Sequence, residues 1–281
     1  MKTGYRRHEE FVKILKTLIF MAIGVTFLLP LLWMISSSLK TPAEVFQQDF
    51  HWLPEVPRWH NYKEVWLDSE VTMARGYLNS IYITFFSIVF KLFFASLAAY
   101  AFAKIDFKGR DVIFMIFLST MMIPTEVTLI PRFMLFKELG LYNSRWAIIL
   151  PNWFAPGAVF MLRQFYMGLP NDLMEAAKID GAGHSRIFAQ ILLPLTKAAL
   201  VSQCVLSFVS CWNEYMAPLV FLVKKNLYTV AQVVQWTMMD EAARTDLTMA
   251  ASTCAIIPVV IIFMFCQRYF VEGIATSGVK G

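Results

Sequence analysis

From Thr17 to Leu39 the chain runs 23 residues without a charged side chain, and no other feature limits its folding as much. A bilayer core is spanned by about 20 apolar residues, and with no water there every backbone N–H and C=O must pair within the segment, which demands a helix. A signal peptide would have a shorter apolar core and a small-residue cleavage site; this run is too long and is followed by Ser36-Ser37-Ser38-Leu39-Lys40. It reads as an uncleaved anchor.

Five more stretches read the same way: 78–103 with Lys91 inside it, 112–131 with Glu126, 146–162 (its inner end drawn to 166) interrupted by Pro151 and Pro156, 198–223 with Glu214, and 247–267. Composition agrees. Residues of the AVILMFWYC set make up 58% and charged residues 16% of the 281, where soluble domains carry about 25% charge. The expected fold is all-α, six transmembrane helices in one membrane domain over 1–281, with no room for a soluble domain. With the N-terminus in the cytoplasm, 14 of the 25 Lys and Arg fall on inner segments and 10 on outer ones, with Lys91 between. The first helix has Lys2, Arg6, Arg7, Lys13 and Lys16 before it and only Lys40 just after it. The positive-inside rule therefore places both termini inside.

Other classes fall away. The +5 charge is spread along the chain with no basic block, so it suits loops and anionic head groups better than a nucleic acid. Cys204, Cys211, Cys254 and Cys266 lie in apolar stretches without a Cys-x-x-Cys, and the four histidines are scattered; packing thiols are expected, and no metal. An intramembrane enzyme needs a motif such as His-Glu-x-x-His or Gly-x-Ser-x-Gly, and neither occurs. A free-standing secondary carrier should show inverted repeats, and none is visible.

One inner loop, 167–197, is long and patterned. Asn171 is a good N-cap, with Asp172 and Glu175 at the positive end of the helix dipole. Leu173, Ala176, Ala177 and Ile179 give the helix an apolar side, and Gly181 is placed to end it in a left-handed turn. Ser185 can cap a second short helix carrying Ile187, Phe188 and Ile191, before Pro194 leads into the fifth span. The product is a helix-turn-helix small enough to seat in a groove on another protein. A helix that lies on lipid alone explains the pattern about as well.

The same residues carry a resemblance. Glu175-Ala176-Ala177, Gly181 and Ile191-x-Leu193-Pro194 fill all seven signature positions of the EAA loop found in membrane subunits of ATP-binding-cassette importers. Arg163-Gln-Phe-Tyr-Met-Gly-Leu-Pro, Ile179-Asp180-Gly181-Ala182, Trp212-Asn213-Glu214-Tyr215, Asn79-Ser80 and Ala98-Ala-Tyr-Ala-Phe-Ala resemble its carbohydrate-uptake branch, the maltose-transporter-like, binding-protein-dependent permeases, over about 75–272. The resemblance implies the type I ABC importer fold, with Glu175, Ala176, Ala177, Asp180, Gly181, Ile191, Leu193 and Pro194 coupling to an ATPase. It implies as partners a second, homologous permease, two ATPase subunits that bind ATP–Mg, and an extracytoplasmic solute-binding protein. This chain has no phosphate-binding Gly-x-x-x-x-Gly-Lys-Ser/Thr loop, so no ATPase activity or cofactor of its own is expected. The substrate is expected to be a sugar, an oligosaccharide before others, with glycerol 3-phosphate and related phosphodiesters as the alternative.

Charges inside spans are functional suspects, since each costs roughly 2.5–3.5 kcal/mol at mid-membrane. Lys91 is expected to pair with Glu126 or Glu214, or to meet a backbone carbonyl. Asn213, Glu214 and Tyr215, with Glu126 beside Pro124, are the candidate lining of a substrate pathway, with helix–helix contact as the competing role for the first three. Lys91, the only cation within a span, argues mildly for a neutral sugar over an anion. Outside, Trp52, Trp59 and Trp66 suit the membrane–water boundary. Tyr228, Gln232, Gln235 and Trp236 resemble a segment that reaches toward the solute-binding protein.

Overall fold

The computed structural model describes residues 2–47, 51–239 and 244–278; residues 240–243 of the outer 224–246 loop and the tail from 279 lie outside the described residues. Every regular element among the described residues is helical. The principal helices are α1 (Lys2–Ser37), α2 (Met73–Lys104), α3 (Arg110–Ser119), α4 (Thr125–Glu138), α5 (Pro156–Met167), α6 (Asp172–Ile179), α7 (His184–Ile187), α8 (Lys197–Trp212), α9 (Met216–Phe221), α10 (Val230–Met238) and α11 (Thr245–Gly278).

Three stretches are long and apolar enough to cross a bilayer unbroken: Glu10–Ser37, Met73–Lys104 and Thr245–Gln267. The other three expected spans are broken, so six continuous helices are not what the chain forms. α3, with a 3-10 turn to Met122, meets α4 at 95°. The 146–166 stretch divides into Trp146–Ile149, a 3-10 turn Leu150–Trp153 and α5. The 198–223 stretch divides into α8 and α9 at Asn213–Tyr215. Proline accounts for each break. Ile123 and Ala155, preceding Pro124 and Pro156, are pushed off helical geometry (φ −83°, ψ 114° and φ −132°, ψ 76°). Pro218 offers no N–H to the carbonyl of Glu214, and its ring would clash with it, so the helix must restart after residue 214.

The helices group into two compact units. In the first, α1 stops at Ser37, two residues short of the apolar run, because the chain turns there into a polar knot. Lys40 is 1% exposed: its ammonium lies 4.2 Å from the Trp33 ring centroid and donates to the His51 carbonyl. Burial pushes its pKa below the ordinary lysine value, against the opposing charge of Glu44. Asn61 Nδ2 donates to the carbonyls of Ser38 (2.9 Å) and Lys40 (3.1 Å). The same unit holds buried Asp246, which accepts from Arg244 at 3.1 Å, while the other guanidinium nitrogens reach Glu64 at 3.3 Å. Trp52 packs edge-on to Trp33 at 6.1 Å, and Trp66 Nε1 donates to Cys254 Sγ at 3.2 Å.

In the second unit α2 is the spine, packed along α5 and α8. Its start is crossed closely by α10: a Cβ on Gly76 would sit 2.8 Å from a methyl of Val233. Asn79 is the polar hub of this crossing. Its Nδ2 donates to the carbonyls of Asn226 (3.0 Å) and Tyr228 (2.9 Å), and its Oδ1 accepts from Arg145 Nε and an Arg145 terminal nitrogen (3.0 and 2.7 Å). Ser80 Oγ accepts from the Val230 amide at 2.9 Å. Gln232, expected to face outward, is instead 5% exposed and spent internally, donating to the carbonyls of Pro218 and Leu222.

Candidate functional site

Two places in the second unit gather the sequence-predicted residues. The first is the 167–197 loop. α6 ends with Asp180 as its last cap and Gly181 at φ +80°. The Gly181 amide donates to Lys178 O (3.0 Å) and the Ala182 amide to Ala177 O (2.9 Å), the double bond of a Schellman close. Only glycine enters that backbone region without steric cost. The apolar side of α6 is divided differently from the sequence expectation. Met174 and Ala177 turn into the chain, while Leu173 (46% exposed), Ala176 and Ile179 (86%) face out beside Glu175. The Glu175 side chain makes no hydrogen bond or ion pair among the described residues. Two caps are also displaced. The Asn171 side chain makes no capping bond to the helix start; its Oδ1 accepts from Lys104 Nζ at 2.7 Å. The second helix starts at His184 after Gly183, so Ser185 lies inside it.

Both limbs of this loop are tied to the end of α2. Lys104 Nζ donates to Leu169 O (2.8 Å) as well as to Asn171. The Tyr100 hydroxyl lies 2.9 Å from His184 Nδ1, with the Phe188 ring 5.4 Å from the Tyr100 ring. After α7 a π-helical turn, Phe188–Leu192, carries Ile191 onto the core with Leu193 behind it, and Pro194 is exposed. Tyr100, Phe188, Met174, Ala177 and Leu192 belong to one buried cluster that continues into α5 and α8. The loop and the spine therefore form one packed body.

The second place is a cavity of about 380 Å³ lined by residues of all three helix breaks. Thr125, Glu126 and Arg132 come from α4, Asn152 from the 3-10 turn before α5, and Glu214 from the α8–α9 junction. Glu214 Oε1 accepts from the Ala217 amide at 3.0 Å, capping α9. Asn152 Nδ2 donates to Ile148 O at 3.0 Å and to Ser87 Oγ at 3.4 Å. Of the sequence candidates, Glu126 and Glu214 share this cavity. Asn213 and Tyr215 are not among its lining residues, and Asn213 Nδ2 bonds back to Val209 O at 3.0 Å.

Lys91 makes no ion pair with Glu126 or Glu214 among the described residues, against expectation. The cation in the cavity is Arg132, which sequence reading left one residue beyond the third span. The signal was present in Pro124, whose bend turns α4 so that Arg132 meets the cavity. Arg132 Cζ sits 5.2 Å from the Phe221 ring centroid, and its buried Nε has no hydrogen-bond partner. A cation–π contact returns about 0.5–2 kcal/mol, less than the several kcal/mol that withdrawing an ion from water costs.

Residues 91–276 match the family model described as "Binding-protein-dependent transport system inner membrane component". The arabinooligosaccharides transport system permease protein AraQ of Bacillus subtilis (strain 168) is 35% identical over 271 residues, covering 96% of each chain. The sn-glycerol-3-phosphate transport system permease protein UgpE of Yersinia pestis bv. Antiqua is 32% identical over 266 residues, 92% of this chain and 95% of its own. Among solved structures, a chain of a bacterial ABC transporter involved in the import of the acidic polysaccharide alginate aligns with TM-score 0.81 at 27% identity, covering 94% of this chain and 98% of that one.

Proposed function

This chain belongs to the binding-protein-dependent transport system inner membrane components, integral membrane subunits of ABC importers, and we propose that it is a permease subunit of an ATP-driven oligosaccharide importer. The observation that carries the mechanism is the geometry of α6. Its inner side is packed into the chain through Met174 and Ala177, and its outer side leaves Glu175, Ala176 and Ile179 exposed among the described residues. An exposed apolar helix face in water needs a cover, and a groove on a cytoplasmic ATPase subunit supplies one.

In this reading two ATPase subunits bind ATP–Mg and do the hydrolysis. Their closure pulls the 171–194 knuckle, and the links Lys104–Asn171, Lys104–Leu169 and Tyr100–His184 pass the displacement to α2. α2 runs past the broken helices around the cavity, so its movement changes which side of the membrane the cavity faces, a two-state change biased by the partner. Glu126 and Glu214 line the pathway. The chain crosses the membrane six times, three of the crossings interrupted, with both termini and the knuckle in the cytoplasm. A second, homologous permease completes the pathway and an extracytoplasmic binding protein delivers the sugar.

Glycerol 3-phosphate is the competing cargo, through the likeness to UgpE. Two carboxylates against one guanidinium in the cavity disfavour a phosphate dianion there, which supports the neutral sugar. The test is binding to the cognate solute-binding protein across neutral oligosaccharides, acidic saccharides and glycerol 3-phosphate. Tight binding of a neutral oligosaccharide is expected; binding of glycerol 3-phosphate alone overturns the assignment.

A further inference from the structure

We infer that Arg132 is a specificity-determining residue that donates hydrogen bonds to neighbouring hydroxyls of a neutral cargo, with Glu126 and Glu214 accepting from them. The inference rests on the importer reading and goes further by naming the group that reads the cargo. Arg132 is anomalous for a cation at this position: its Nε is buried without a partner, and among the described residues it makes no ion pair or hydrogen bond. Glu214, which lines the same cavity, has one oxygen committed to the Ala217 amide. Phe221 covers the guanidinium by its ring, which fixes the group but satisfies none of its N–H donors.

The cavity has a size suited to a ligand, its volume of about 380 Å³ falling within the ~300–1,000 Å³ of small-molecule sites. Its polar groups are sorted by function. Arg132 offers only donors, in a planar fork that matches two adjacent oxygens. Glu126 and Glu214 offer only acceptors when ionised. A hydroxyl needs both, since it donates one hydrogen and accepts at two lone pairs. A pair of vicinal hydroxyls satisfies the fork and the carboxylates together, whereas a phosphate satisfies the fork and meets two like charges. The site is therefore complementary to a polyhydroxylated, uncharged molecule.

The experiment uses the complete importer in proteoliposomes, this chain with its partner permease, ATPases and binding protein, with labelled arabinotriose and glycerol 3-phosphate as the probes. Two variants separate the chemistry from charge balance. Arg132→Lys keeps the charge and loses the fork; Arg132→Gln loses the charge and keeps an amide donor. Both are expected to lower arabinotriose uptake about tenfold, the equivalent of one lost bidentate contact, while the importer subunits co-purify as they do with the wild-type chain. That co-purification shows the variants folded and assembled. Wild-type uptake in Arg132→Lys with loss only in Arg132→Gln makes Arg132 a counter-charge for Glu214 and overturns the inference. Unchanged uptake in both overturns it too. A wild-type importer that carries glycerol 3-phosphate and not arabinotriose is a different result, removing the oligosaccharide reading itself.

Discussion

Gly181 shows how one residue shapes the turn between α6 and α7. At φ +80° a Cβ there would touch nothing within 4 Å, so the cost of a side chain is purely backbone. Gly181→Ala should cost about 1–2 kcal/mol, Gly181→Asn less because asparagine tolerates this region, and Gly181→Val more. Thermal unfolding of the purified complex should rank the asparagine variant the most stable of the three, then alanine, then valine; equal stability across the series would mean the turn relaxes into another shape. Asn79 works by hydrogen bonding instead. Asn79→Ala would leave Arg145 and the carbonyls of Asn226 and Tyr228 without their partner, a loss of about 1–3 kcal/mol for each group left buried and unsatisfied. Asn79→Asp keeps the Arg145 contact and loses the two donors, so it should fall between alanine and wild type. A denaturation midpoint for Asn79→Ala equal to wild type would contradict this account of the crossing.

At the scale of elements, the α2–α10 crossing depends on the absence of a side chain at residue 76. Gly76→Ala forces its methyl to 2.8 Å from a stiff valine, and overpacking of this kind costs about 1–3 kcal/mol. Pairing it with Val233→Ala should recover most of the loss, which differential scanning of the two variants can measure. Continuous elements were legible from sequence because lipid leaves a helix no alternative: α1, α2 and α11 stand close to the uncharged or nearly uncharged runs that announced them. The broken ones were legible only in part. Pro151 and Pro156 were visible as interruptions, but Pro218 was passed over, and its effect four residues upstream is what opens the chain at Glu214. Arg132 was missed for a related reason, since a linear reading counts distance along the chain and cannot see a 95° bend fold the next helix back. The knuckle's turn at Gly181 was readable, but its caps were not, because Lys104 competes for the Asn171 side chain from a helix 67 positions away.

For the whole molecule, the exposed apolar surface sets the requirements. The apolar window of Glu10–Ser37 buries none of its residues within the chain, so α1 needs lipid or another subunit as cover. The knuckle makes the same demand at the aqueous side with a smaller and more polar patch. One chain can thus insert in a membrane, hold a polar cavity where three helices break, and still lack the means to drive a cycle. From α6 through Tyr100 and Lys104 to α2 the chain is one packed and hydrogen-bonded body, which is what the proposed coupling role requires. The central claim is tested most directly by placing a charge on the outer face of α6, with Ile179→Asp in the complete reconstituted importer. Ile179 is 86% exposed and supports no packing within the chain, so the permease should insert and unfold as wild type does. The account predicts that the ATPase subunits no longer co-purify and that ATP-dependent oligosaccharide uptake is lost; a variant that transports at the wild-type rate with its ATPases bound would contradict it.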